Sequence, residues 1–154
     1  MMAHLSAVTL VVPDYDTAIA FYVGALGFEL LEDTRLSETK RWVRVAPSRG
    51  GPAPAGSIDP GDRLKPTEAP AGAGAETALL LARADGPAQE AAIGNQTGGR
   101  VAFFLEVDDF DVHHAHFKKM GVHFLETPRD EPYGKVAVFE DPFGNRWDLI
   151  QPAR

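Results

Sequence analysis

Val136-Ala137-Val138-Phe139-Glu140-Asp141-Pro142-Phe143-Gly144-Asn145-Arg146-Trp147-Asp148-Leu149-Ile150 reads as strand, tight turn, strand. Val136 to Phe139 is a β-branched and aromatic run, and Arg146 to Ile150 a second strand. Asp141-Pro142-Phe143-Gly144-Asn145 carries what a turn between them needs. Asp accepts from nearby backbone N–H groups, Pro presets φ at the first corner, and Gly and Asn tolerate positive φ. Side chains alternate along a strand, so Trp147 and Leu149 share one face, while Arg146, Asp148 and Ile150 share the other. The apolar pair marks the core side. What the face with the carboxylate looks into is the functional question.

Working outward, the rest of the chain falls into the same kinds of element. Ser6–Val12 is a strand stopped at Pro13, and Asp14 or Asp16 caps a helix over Tyr15–Leu26 that ends at Gly27. Phe28–Asp33 and Arg41–Ala46 are strands. Glu76–Ala82 is another, and Pro87–Ile93 a short helix. Val101–Val107 is a strand, Asp108 or Asp109 caps a helix over Phe110–Met120, and Gly121 stops it. Val122–Glu126 and Gly134–Glu140 are strands leading into the opening hairpin. Between 47 and 75 lie six Pro, six Gly and six Ala, and only Ile58 and Leu64 as large apolar residues. Such a segment buries too little to offset its ordering entropy, and it reads as a surface insertion or a lid.

The order repeats. Matching Val12 to Val107 also pairs Asp14 with Asp109, Tyr15 with Phe110 and Ala20 with Ala115. One residue must be dropped from the first helix before Gly27 meets Gly121. Each half is one helix on a small sheet, so two modules are needed for a core. The expected organisation is a single domain over 1–154: a first βαβββ module at 4–84, a connector at 85–100 and a second module at 101–154.

A net charge of −7, with no basic run, argues against nucleic acid. The absence of cysteine excludes disulfides and thiolate chemistry, and fits a reducing compartment. The apolar run Ala7–Val12 is too short for a membrane span. These features predict a small soluble cytoplasmic protein.

In this order and spacing, Val11-Val12-Pro13-Asp14, Ala20-Phe21-Tyr22, Leu26-Gly27-Phe28 and Glu140-Asp141-Pro142-Phe143-Gly144-Asn145 with Asp148-Leu149 resemble the vicinal oxygen chelate superfamily of glyoxalase I, bleomycin-resistance proteins and extradiol dioxygenases. The resemblance implies an α+β fold in which two βαβββ modules form a mixed-sheet cup, a small-molecule ligand in that cup, and a homodimer. It also implies one divalent metal held by imidazole and carboxylate ligands. Carried over residue by residue, the ligand places fall on Ala7, near Leu80 and on Ala102; Asp148 alone keeps a carboxylate. The expectation is therefore no cofactor and no metal site. The resemblance implies a glyoxalase-like lyase or isomerase working without the usual metal. The alternatives are a bleomycin-resistance-like protein that binds its ligand without turnover, and a dimer whose own side chains fill the cup.

Strand parity then selects candidates. Thr9 shares a face with Ala7, and Phe104 and Glu106 share one with Ala102. Glu106 and Asp148 are the candidate catalytic carboxylates. Trp42 and Arg44 share one face of their strand, and Arg41 lies on the other; either arginine suits an anionic group. Gln96 in the polar loop, Tyr133 before the penultimate strand, and Arg146 complete the candidate ligand-binding set with Thr9, Trp42 and Phe104. His113, His114 and His116 are expected to face solvent, because Phe110, Phe117 and Met120 define the apolar side of their helix. His4 and His123 are expected at the surface without partners.

Overall fold

The computed structural model describes residues 2–48 and 77–154. The expected insertion at 47–75 lies outside the described residues, apart from Pro47 and Ser48. The chain divides into two compact units, Met1–Glu90 and Ala91–Arg154. Among the described residues, no helix is long and apolar enough to cross a membrane.

In the first unit, β1 (Ala7–Val12) leads into a helix over Tyr15–Ile19, α1, that continues as a π-helical segment over Ala20–Ala25. Strands β2 (Glu29–Arg35), β3 (Arg41–Ala46) and β4 (Ala78–Arg83) follow. The sheet order is β1-β4-β3-β2, with β1 parallel to β4 and the other pairs antiparallel. Leu10, Val12, Val43, Val45 and Leu81 are buried on one face, as are Ala18, Phe21 and Tyr22 of the helical segment. The Asp14 carboxylate caps the helix by accepting from the Thr17 N–H at 2.7 Å.

The second unit repeats the plan. A short helix α2 (Pro87–Ala92) crosses the boundary between the units; beyond it come β5 (Val101–Glu106) and α3 (Phe110–Lys119), the latter capped by Asp109 through the Val112 N–H at 3.2 Å. Strands β6 (His123–Phe124), β7 (Arg129–Glu131), β8 (Gly134–Glu140) and β9 (Arg146–Pro152) complete a five-stranded sheet ordered β5-β9-β8-β6, with β7 also on β8. β5 runs parallel to β9, as β1 does to β4. The two-module α+β architecture expected from the repeat is the one observed. β7 was not foreseen: Arg-Asp-Glu has neither the composition nor the alternation of a strand, and pairing to β8 alone makes it one.

The residue that had to be dropped from the first repeat has a structural counterpart. Leu26 N–H donates to Phe21 O, a five-residue step, whereas Met120 N–H donates to His116 O, a four-residue step. One extra residue in a helix is accommodated as a π turn. Both helices then end on a glycine in the left-handed region, Gly27 at φ 77° and Gly121 at φ 86°.

The opening hairpin is locked by its own turn. Asp141, 3% exposed, accepts from the Phe143 and Asn145 N–H groups, both at 2.9 Å, and from Asn145 Nδ2 at 2.7 Å. Gly94 lies so close beneath the turn that a Cβ there would collide with the Phe143 carbonyl. Trp147 and Leu149 are buried, with the Trp147 ring stacked 5.9 Å from Phe139 and tilted against Phe103 at 4.6 Å. Replacing Asp141 with Ala strands the turn's buried donors, so Asp141→Ala is expected to cost about 3 kcal/mol in urea unfolding. A cost under about 1 kcal/mol would show that the turn does not depend on that carboxylate.

Candidate functional site

The face of the second sheet opposite α3 is built by register. Phe104 on β5 lies opposite Asp148 on β9, and Glu106 opposite Ile150. On the other side of β9, Val138 lies opposite Asp148 and Glu140 opposite Arg146. The β5–β9 register shifts between Val101 and Phe103, so Ala102 sits at the irregularity. The alternation resumes at Phe103, whose ring contacts Trp147 on the helix side, and this leaves Phe104 and Glu106 on the face of Asp148. Phe104 is 67% exposed.

Asp148 is half-buried between these neighbours. Its Oδ1 is shielded from solvent and has no hydrogen-bond partner among the described residues. Burial is the main reason its pKa lies above the ordinary 3.8; Arg129 pulls it down and Glu126 pushes it further up. The Arg129 guanidinium is itself engaged by neighbouring acids. Arg129 Nη1 donates to Glu131 at 2.7 Å and to the Tyr133 hydroxyl at 3.4 Å, and Nε to Glu126 at 3.1 Å. These partners, Glu131 first, hold the guanidinium above its usual range. Glu126 also accepts from the Val138 N–H at 3.0 Å. Sequence reasoning passed over Glu126, Arg129 and Glu131. Their local signal is the three-residue Glu–Arg spacing, and β7 was not recognised as a strand that would carry it.

In the first unit, Thr9 and Arg44 both pair in register with Leu80, which puts them on one face with Trp42, 39% exposed. Arg44 Nε donates to Glu32 at 3.2 Å. Arg41 lies on the helix side. It grips Asp33 through Nε and Nη2 at 3.0 and 2.6 Å, reaches Asp16 at 2.8 Å and lies over the Tyr15 ring. Its guanidinium therefore ties the helix start to the sheet, and the Asp33 hydrogen bond chiefly holds it charged. In the second unit, Gln96 is an exposed turn residue and Tyr133 is exposed at the β7–β8 turn. Arg146 is exposed and donates to the Gly99 carbonyl at 3.4 Å.

The histidines correct an expectation. His113, His114 and His116 are half-buried, while Met120 is exposed. His114 packs between Phe110 and Phe124, and burial lowers its pKa, with Lys118 adding to the effect. The aromatic core extends one step around α3 and takes imidazoles in place of Met120. His123 is exposed but not unpartnered: its Nδ1 lies 2.8 Å from Glu140 Oε1.

A sequence model of the Glyoxalase/Bleomycin resistance protein/Dioxygenase superfamily matches residues 4–149. The chain belongs to this superfamily. An uncharacterized protein of Shewanella frigidimarina (strain NCIMB 400) is 44% identical over 152 residues, covering 98% of this chain and 95% of its own. Among solved structures, UcmS2 superposes with a TM-score of 0.71 at 27% identity, covering 97% of this chain and 98% of its own. TnmS3, an antibiotic binding protein from Streptomyces sp. CB03234, superposes with a TM-score of 0.65 at 27% identity over 99% and 98% of the two chains.

The superfamily's divalent metal does not fit the donor set of this member. Carried over from the resemblance, the ligand places fall on Ala7, near Leu80 and on Ala102, whose side chains offer no donor atom, and Asp148 alone keeps a carboxylate. Among the described residues, no group of three His, Cys, Asp or Glu side chains is arranged to hold an ion.

The raised pKa of Asp148 has a sign that can be read in stability. Between the unfolded value near 3.8 and the higher folded value, the folded chain keeps a proton that the unfolded chain has lost. Stability therefore falls as pH rises through that window and levels off above it. Asp148→Asn removes the titration. The variant is expected to gain stability over the parent at pH 8, the gain shrinking toward pH 4, in denaturant melts across the pH range. A difference that does not change with pH would rule out the carboxylate as its source.

Proposed function

We propose that the protein binds a small organic molecule on the open face of its second sheet and holds it without turnover. The observation that carries this reading is the pairing of Asp148, with a buried oxygen lacking a hydrogen-bond partner among the described residues, with the exposed ring of Phe104 directly opposite. A buried acceptor without a donor costs folding free energy of about 1–3 kcal/mol. An exposed aromatic ring beside it offers apolar area. A guest with a flat apolar body and one donor group satisfies both at once. The likeness to TnmS3, described as an antibiotic binding protein, supports the same class of activity.

A second reading is favoured by one observation, the raised pKa of Asp148. A carboxyl whose pKa is raised by burial is better suited to general acid or base work of the kind a lyase or isomerase needs. Glu106 would be its companion, two residues along β5 from the residue opposite Asp148 and on the same face.

A panel of planar aromatic compounds, followed by tryptophan fluorescence and thermal shift, tests the binding reading. Saturable binding is expected for some members, weakened about tenfold in Phe104→Ala. A panel with no response in either measurement overturns the reading. Each compound that binds is then incubated in deuterated buffer and examined by mass spectrometry. Return of the compound unchanged and undeuterated supports binding without turnover; deuterium exchange at carbon or a new product supports the enzyme.

A further inference from the structure

We propose that the guest is an aromatic cation, its ring against Phe104 and its ammonium or amidinium group held by Asp148 and Glu106. This inference rests on the small-molecule reading and specifies the chemistry of its guest. The first support is placement. Phe104 lies opposite Asp148, and Glu106 is two residues farther along the same strand, on the same face. A ring that is 67% exposed is thus bracketed by two carboxylates. An aromatic face attracts a cation through its quadrupole, and flanking carboxylates supply the formal charge.

The second support is how the charges on the two sheets are used. Three of the described arginines are engaged by acids. Arg129 is held by Glu126 and Glu131, Arg44 by Glu32, and Arg41 by Asp33 and Asp16. Arg146, two residues from Asp148, is exposed and donates to the Gly99 carbonyl; Glu140, opposite it in register, is engaged by His123. Among the described residues, neither Glu106 nor Asp148 forms an ion pair. The surplus on this face is therefore negative, in a chain whose net charge is −7. The third support is the buried Asp148 oxygen itself. An N–H of a cationic guest supplies the missing donor and favours the ionised carboxylate, which a neutral donor does far less and an anion opposes.

The test uses the full chain and one ring system with three substituents: 1-naphthylmethylammonium, 1-naphthalenemethanol and 1-naphthoate, titrated by calorimetry at low and high ionic strength. The ammonium compound is expected to bind about tenfold more tightly than the alcohol, with naphthoate weakest and the preference shrinking in high salt. Asp148→Asn and Glu106→Gln are each expected to reduce the ammonium preference by about fivefold while leaving the alcohol within about twofold. Glu106 is exposed, so its variant keeps the fold even if the Asp148 variant does not. Equal binding of the alcohol and the ammonium compound, or naphthoate binding as tightly as either, overturns the inference and leaves small-molecule binding standing. No binding by any of the three also overturns it; the broader reading falls with it only if the aromatic panel is silent too.

Discussion

The register of the β8–β9 hairpin is the constraint on which the second module depends. Asp141 closes the turn with three short hydrogen bonds, and pairing runs from Glu140 opposite Arg146 to Gly134 opposite Pro152. A slip of one residue would turn Trp147 and Leu149 out of the core and drive Arg146 and Asp148 into it. The aromatic stack of Phe103, Trp147 and Phe139 and the placement of the carboxylate are therefore one decision. The parallel partner β5 carries that decision across to Phe104 and Glu106.

Charge on the open face follows from the same geometry. Arg41, Arg44 and Arg129 are spent within the fold on acids brought beside them by strand pairing or by the neighbouring loop, while Arg146 donates to the Gly99 carbonyl. The carboxylate at the centre of the sheet has Phe104 and Val138 as its cross-strand neighbours, and burial rather than a charged partner sets its titration. This superfamily member thus keeps the strand that presents a ligand-type carboxylate and lacks donors at the other places.

Local signals were legible because they act over a few residues. The capping aspartates Asp14 and Asp109, the stopping glycines Gly27 and Gly121, and the turn Asp141–Asn145 each satisfy backbone groups within four positions. The internal repeat was legible too, down to the single surplus residue that the structure absorbs as the π segment Ala20–Ala25. β7 was not, because a charged tripeptide becomes a strand only when β8 offers it partners. The imidazoles of α3 were placed outward because Phe110, Phe117 and Met120 mark an apolar side, yet their rings pack against phenylalanines.

The sequence by itself determined the elements other than β7, their duplication and the face on which Asp148 lies, since these follow from short-range periodicity and turn chemistry; the superfamily came from the resemblance of its motifs in order and spacing. Which charges remain uncommitted was decided only by tertiary structure. Arg41 and Arg44 are three residues apart and chemically alike, but the alternation of β3 sends one to Asp33 and Asp16 and the other to Glu32. Asp148 and Phe104 are 44 positions apart and meet only through parallel pairing. Ion pairing and desolvation depend on distances through space, and only the packed sheets set those distances.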